Sequence, residues 1–192
     1  MTTFHMVRHG PTHEKNFVGW RDVPADLSDT AAIERLHNGL PSDALLISSD
    51  LSRAIQTADA ISAGRTRLPH DPGLREFDFG DWDGKHFSDA AETHPELSRA
   101  FWESPGDLAA PNGESWNGVA TRVAAVLDRL HDQHKGADIV VVGHFGMILT
   151  QLGLAKGETP TQSLGQKIDN LSVTTIQRHT AGWNVHLINH NH

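Results

Sequence analysis

The stretch Ile139-Val140-Val141-Val142-Gly143-His144 joins four β-branched residues to a glycine and a histidine. A short apolar run rich in β-branched residues predicts a buried strand. A histidine directly after such a strand lies at the turn that leads into the next element, above the end of the sheet. Ligands of open α/β sheets bind beyond the carboxyl ends of the strands. His144 is therefore a candidate functional residue.

Other stretches of the chain also predict strands. Residues 4–8 predict a short buried strand that ends in Arg8-His9-Gly10, and residues 45–48 predict a second one shortly before Arg53. Residues 172–176 and 183–188 predict two further strands around a turn at 180–182. His9, Arg53 and His144 all fall at or just past the carboxyl ends of predicted strands.

Helical patterns separate these strands. Apolar residues recur at helical spacing over 51–61 and over 116–130, and Ser115 is a plausible N-cap for the second helix. Strands that alternate with helices predict a three-layer α/β/α sandwich with a mostly parallel central sheet. The stretch at about 80–113, with Trp82, Trp102, prolines and glycines, predicts a helical insertion over the site within a single domain of residues 1–192.

Composition limits the classes of function. The 192 residues are 38% hydrophobic and 21% charged, as in an ordinary globular protein, and the formal net charge is −8. An acidic surface repels nucleic acid and anionic membranes, so neither partner is expected. The chain has no cysteine, no apolar run near membrane length and no signal-peptide pattern, so we expect a cytoplasmic protein.

Arg8-His9-Gly10 and Arg53 carry residue types suited to phosphate chemistry. A histidine can attack phosphorus through a neutral ring nitrogen, and a nearby arginine favours that neutral form. Arg53 would lie in the first turn of its helix, capped by Ser49 or Asp50, where the helix dipole favours anions. The alternative for Arg53 is a simple ion pair with Asp50.

Two further side chains would complete such a site. His144, as an imidazolium, would stabilise charge on a transferring phosphoryl group, although a core histidine is the alternative. Glu76 precedes alternating Phe77 and Phe79, and an apolar setting would keep it protonated as a general acid requires. A glutamate on the solvent face of a strand is the alternative for Glu76.

These signals, in this order, resemble the histidine phosphatase superfamily, which includes the cofactor-dependent phosphoglycerate mutases. The resemblance covers nearly the whole chain. It rests on the segments Arg8–Thr12, Phe17–Asp22, Ser48–Ala58, Leu74–Gly84, Pro111–Ser115 and Val142–His144.

The resemblance implies a phosphoglycerate mutase-like fold and roles for individual residues. His9 would become the phosphohistidine, Arg8, Arg53 and His144 would bind the phosphoryl oxygens, and Glu76 would exchange protons. Thr12 and Asn16 stand where the family often contacts its ligand. The chain departs from the family pattern at 27–34, which lacks the usual glycine and glutamine, and at Phe145, where a small residue is common.

Sequence reasoning thus predicts a metal-independent phosphomonoesterase that acts on a small phosphorylated metabolite and needs no cofactor. The alternatives are a cofactor-dependent phosphoglycerate mutase and a non-catalytic module that binds phospholigands. A metal protein is a third reading, suggested by the 14 histidines, but no carboxylate or cysteine set completes a ligand cluster around His131 and His134. The substrate and the oligomeric state are not predicted.

Overall fold

The computed structural model describes residues 1–192, which form a mixed α/β fold. Its six strands are β1 (Thr2–Arg8), β2 (Leu45–Ser48), β3 (Thr66–Arg67), β4 (Asp138–Gly143), β5 (Val173–His179) and β6 (Gly182–His190). Its seven helices are α1 (Thr30–Gly39), α2 (Ser52–Ala60), α3 (Phe87–Thr93), α4 (Pro95–Glu103), α5 (Trp116–Gln133), α6 (Phe145–Lys156) and α7 (Pro160–Leu164).

One sheet holds all six strands in the order β3-β2-β4-β1-β5-β6. The pairings β3–β2, β2–β4 and β4–β1 are parallel, whereas β1–β5 and β5–β6 are antiparallel. The predicted mostly parallel sheet is therefore confirmed, with an antiparallel hairpin added at one edge. β4, the strand of the β-branched run, lies between β2 and β1.

Alternate residues of β4 belong to two separate apolar cores. Ile139 and Val141 pack in the larger cluster with residues of α5 and α6, whereas Val140 and Val142 pack in a smaller cluster with residues of α1 and α2. Side chains of a strand point alternately to the two faces of its sheet, so helices cover both faces. This arrangement confirms the predicted three-layer α/β/α sandwich.

Helix α5 begins where the sequence indicates, because the Ser115 side chain accepts the Gly118 backbone N–H. Helix α2 begins differently. Its N-cap is Leu51, which offers no side-chain cap, and neither Ser49 nor Asp50 takes that position. The carboxylate of Asp22 supplies the missing acceptor for Ser52 N, at 2.7 Å. None of the seven helices is long and apolar enough to cross a membrane.

The stretch 80–113 folds as a short 3-10 turn at Gly80–Trp82 followed by α3 and α4. Phe17 stacks against this stretch, with ring centroids 4.3 Å from Phe87 and 6.0 Å from Trp82. Phe101 of α4 meets the Phe77 ring at 6.4 Å. Aromatic contacts of this kind join the two short helices to the segment that carries Glu76.

Candidate active site

Three neighbouring strands end at the same edge of the sheet. Arg8, at the end of β1, pairs with Gly143, at the end of β4, and Ser48, at the end of β2, pairs with Val142. The backbone N–H of His9 continues the ladder and donates to Gly143 O at 3.0 Å. His9 and His144 therefore follow adjacent parallel strands, and their ring centroids are 5.1 Å apart.

The imidazole of His9 is held in one tautomer. Its Nδ1 lies 2.7 Å from the carbonyl oxygen of Gly10, which can only accept, so Nδ1 carries the proton and Nε2 keeps its lone pair. His9 is only 7% exposed. Burial, reinforced by the positive charges of Arg53 and Arg8, lowers the pKa of His9 to about 3. At neutral pH the ring is therefore uncharged, as a nitrogen nucleophile must be.

Neighbouring side chains fix the loop that carries His9. Thr57 of α2 accepts the N–H of Gly10 at 3.0 Å and donates its hydroxyl to Arg53 O at 2.7 Å. Asn170 donates to the carbonyl of His9 at 2.8 Å. Sequence reasoning missed Thr57 and Asn170, because nothing in their local pattern shows that they contact His9.

Arg53 lies in the first turn of α2, as predicted, and its guanidinium is buried. Nε donates to Nδ1 of His144 at 3.2 Å, and the terminal nitrogens donate to the carbonyls of Arg21 (3.0 Å) and Gly19 (2.6 Å). Burial lowers its pKa, and the negative charge of Glu76 opposes that shift. Asp50 forms a two-hydrogen-bond pair with Arg75. The alternative of an Arg53–Asp50 pair is therefore wrong.

His144 is the N-cap of α6 and is fully buried. Because Nδ1 accepts from Arg53, the ring proton resides on Nε2, which lies 2.7 Å from the hydroxyl of Ser49. Burial, with the charge of Arg53 as the next cause, lowers the pKa of His144 well below its usual value. The prediction that His144 is a protonated imidazolium is therefore wrong. The ring is neutral, and its Nε2–H is a hydrogen-bond donor.

Glu76 is buried and lies outside the sheet, between two 3-10 turns, so the alternative of a glutamate on the solvent face of a strand is wrong. Its Oε1 accepts the N–H groups of Phe77 and Gly146, both at 3.0 Å, and Oε2 shares the Gly146 N–H at 3.1 Å. Gly146 belongs to the first turn of α6. The carboxyl group is thus directed at a helix N-terminus two residues after His144, and Oε2 accepts one N–H group where Oε1 accepts two.

The backbone of Glu76 is fixed from two sides. The indole N–H of Trp20 donates to Glu76 O at 2.9 Å, and Arg122 donates to the same oxygen at 3.2 Å. Arg122 also pairs with Glu114, at 2.8 and 2.7 Å, and donates to the carbonyls of Gly73 and Arg75. These contacts hold the acid and its loop against α5.

Arg8 completes the group of charged side chains. One terminal nitrogen donates to Ile168 O at 2.7 Å, and the guanidinium carbon lies 5.3 Å from the centre of the Phe145 ring. Its Nε is buried and has no hydrogen-bond partner in the protein. Burial lowers the pKa of Arg8, and the charge of Glu76 raises it. A buried donor without an acceptor is costly and indicates a place where an anion would be bound.

The structure thus brings together the predicted residues Arg8, His9, Arg53, Glu76 and His144. Thr12 is half-buried in the loop after His9. Asn16 donates its amide to Gly84 O at 3.0 Å, which ties the loop to the segment after Trp82. Ligand contacts by Thr12 and Asn16 stay predictions. No group of three or more His, Asp or Glu side chains is placed to hold a metal ion.

Gly146 allows the close approach between α6 and Glu76. A Cβ atom at this position would overlap the Phe77 ring and would lie 2.5 Å from Oε1 of Glu76. We expect Gly146→Ala to displace the carboxyl and to lower kcat for an alkyl phosphate by roughly 10- to 100-fold. Steady-state kinetics of phosphate release measure this effect.

The control for this variant is Gly118→Ala in the first turn of α5, where the added methyl would meet only Ser115 Oγ at an ordinary 3.4 Å. It should keep the kinetics of the unmodified protein. Wild-type kcat in Gly146→Ala would show that the position of Glu76 does not depend on this glycine.

Comparison with known proteins places the chain in a family. The family model described as the histidine phosphatase superfamily (branch 1) matches residues 4–191. The chain therefore belongs to the histidine phosphatase superfamily, and it is an enzyme of the phosphatase kind. The resemblance noted in the sequence is confirmed.

Relatives with similar sequences include two Arabidopsis thaliana proteins. The phosphoglycerate mutase-like protein 4 is 33% identical over 181 residues, which cover 90% of this chain and 77% of that protein. The metal-independent phosphoserine phosphatase is 30% identical over 194 residues, which cover 95% of this chain and 79% of that protein. The bifunctional protein Rv2228c of Mycobacterium tuberculosis is 35% identical over 177 residues, and the chain spans 46% of its length.

A solved structure with the same fold is that of Bacillus stearothermophilus YhfR. It aligns with a TM-score of 0.90 at 26% identity, over 98% of this chain and 97% of that one. Agreement over nearly the full length of both chains supports the three-layer architecture described above.

Proposed function

We propose that this protein is a phosphomonoesterase that hydrolyses a small phosphorylated metabolite through a phosphohistidine on His9, without a metal ion. The observation that carries the proposal is the tautomer of His9. The Nδ1 proton is donated to Gly10 O, and the unprotonated Nε2 belongs to a buried ring that burial and the charges of Arg53 and Arg8 keep uncharged. Cytoplasmic residence stays a prediction from the sequence.

In the first step, Nε2 of His9 attacks phosphorus while the bond from phosphorus to the ester oxygen breaks. Glu76 gives its proton to the departing oxygen, so the alcohol leaves neutral. The ring of His9 gains positive charge, and its Nδ1–H bond to Gly10 O stabilises that charge. Arg8, Arg53 and His144 are the donors proposed for the phosphoryl oxygens, and the Nε2–H of His144 would exchange the Ser49 hydroxyl for one of these oxygens.

In the second step, ionised Glu76 takes a proton from water, and the oxygen of that water bonds to phosphorus. The nitrogen–phosphorus bond breaks, so phosphate leaves and His9 returns to its neutral form. Glu76 again holds the proton with which the cycle began. The hydrogen bonds to Phe77 and Gly146 keep the carboxyl in one place through both steps.

The same residues would serve a phosphoglycerate mutase, in which the phosphoryl group returns to an acceptor instead of passing to water. Two assays distinguish the two reactions: phosphate release from a panel of phosphorylated metabolites, and conversion of 3- to 2-phosphoglycerate with bisphosphoglycerate present. We expect phosphate release without isomerisation and with full activity after EDTA. Isomerisation, or loss of phosphatase activity in EDTA that added metal restores, would contradict the proposal.

A further inference from the structure

A cleft opens directly beside Glu76, and its walls are aromatic. Six of the chain's twelve phenylalanines and tryptophans line it: Phe77, Phe79, Phe101, Trp102, Trp116 and Phe145. The cleft between these side chains is partly open to solvent. At its rim, Trp102 and Leu108 are each 39% exposed, whereas Phe101 and Phe77 are buried.

Charge is nearly absent from this cleft. Of the twelve residues that line it, nine are hydrophobic, and Glu76 is the single charged one. Neither Arg8 nor Arg53 is among the lining residues. A carboxylate or a second phosphate placed here would lose its hydration and find no cation, and it would also face the negative charge of Glu76 after proton transfer.

The position of Glu76 defines which part of a substrate would enter the cleft. In the proposed function, this carboxyl gives its proton to the ester oxygen, so the alcohol begins at Glu76. Gly146 and Phe145 lie in the cleft wall and in the first turn of α6, directly after His144. The phosphoryl group would therefore be bound by the arginines and histidines on one side, and the alcohol would extend into the aromatic cleft on the other.

We propose that the substrate is a phosphate monoester whose alcohol carries an uncharged aromatic or similarly bulky apolar group, and that this group binds in the cleft. The inference rests on the proposed function and specifies its substrate class. Apolar surface that leaves water for this cleft favours binding, and aromatic rings add edge and face contacts. Small charged phosphate esters lack this contribution.

Three esters test the proposal: 2-phenylethyl phosphate, ethyl phosphate and O-phosphoserine. The alcohols released from the first two esters have similar basicity. A difference in kcat/KM between these esters therefore reflects the phenyl group and not the leaving oxygen. We expect kcat/KM for 2-phenylethyl phosphate to exceed that for ethyl phosphate by roughly 10- to 100-fold. We expect phosphoserine to be used no better than ethyl phosphate.

A pair of matched variants assigns the preference to the cleft. Leu108→Lys places a charge at the rim, and Leu154→Lys places the same charge at an exposed leucine of α6 outside the cleft, where Leu154 is 53% exposed. Leu108→Lys should lower the ratio of kcat/KM between phenylethyl and ethyl phosphate by roughly tenfold. Leu154→Lys should keep the ratio, and thermal unfolding of both variants checks that the fold is intact.

The outcomes separate this inference from the function on which it rests. Protein that hydrolyses none of the three esters contradicts the proposed function and the substrate class together. Protein that releases phosphate from ethyl phosphate or phosphoserine as fast as from phenylethyl phosphate keeps the function and overturns the substrate class alone. An unchanged ratio in folded Leu108→Lys overturns the assignment to this cleft.

Discussion

His9→Ala is expected to reduce phosphate release by roughly 10⁴-fold or more while the protein stays folded. The reason is that the proposed mechanism has no other nitrogen that can bond to phosphorus, because His144 uses one ring nitrogen to accept from Arg53 and the other to donate. Steady-state release of phosphate and thermal unfolding together measure this result. Turnover near the unmodified rate would defeat the mechanism.

The control for this experiment is another histidine of the same loop. His13 pairs with Asp26, and its side chain is 68% exposed, so His13→Ala should leave turnover unchanged.

A second measurement detects the phosphoryl group that is covalently bound to the protein. Substrate labelled with radioactive phosphorus should leave alkali-stable label on the unmodified protein and on His13→Ala, and none on His9→Ala. Equal labelling of all three would place the phosphoryl group on another residue.

Glu76→Gln should produce the second largest effect, and the size should depend on the ester. An alkyl phosphate such as 2-phenylethyl phosphate needs a proton on its departing oxygen, so we expect a loss of roughly 10²- to 10⁴-fold. The glutamine keeps an oxygen to accept the N–H groups of Phe77 and Gly146 but has no acidic proton to give. Phosphate release under saturating substrate measures the loss.

A comparison of leaving groups isolates the acid role. The p-nitrophenolate of p-nitrophenyl phosphate departs without a proton, so its release in a single turnover should slow much less in Glu76→Gln. Single-turnover conditions are needed because the second step also uses Glu76, to activate water. Equal slowing of the alkyl and aryl esters in this first step would argue against proton transfer from Glu76.

The strand ends were the part of the site most accessible from sequence. The run Ile139–Val142 predicts a buried strand by itself, and the histidine that follows it must lie at the carboxyl edge. The same reasoning holds for residues 4–8 and for His9. Arg53 was predictable because the pattern of α2 starts just before it. In each case the local sequence pattern predicts the place of the residue, at the end of a strand or the start of a helix.

Some of the observed helices and strands have only weak signals in the sequence, or none. Strand β3 is only two residues long, which is too short for a hydrophobic periodicity in the sequence. Only its pairing with β2 identifies it as a strand. Helices α1 and α7 were also missed, although each has a local cap. Asp29 accepts Ala32 N, and Thr159 forms a capping box with Gln162. Those caps are sequence-level signals that could have located both helices.

The contacts that position the site could not be predicted from local patterns. Asp22 caps a helix from a distant loop, Thr57 reaches the N–H of Gly10, and Trp20 and Arg122 meet at the carbonyl of Glu76. Each contact joins segments that only the folded chain brings together. The neutral state of His144 has the same origin, because burial is a property of the tertiary structure.

The pairing of β1 with β4 also has a consequence for folding kinetics. His9 and His144 meet only after the first strand of the chain has paired with a strand from its last third. Such long-range pairings form slowly compared with helices, because a large loop must close before any contact stabilises it. During refolding, helical signal should therefore return before enzymatic turnover, and the return of turnover reports the closing of the central sheet.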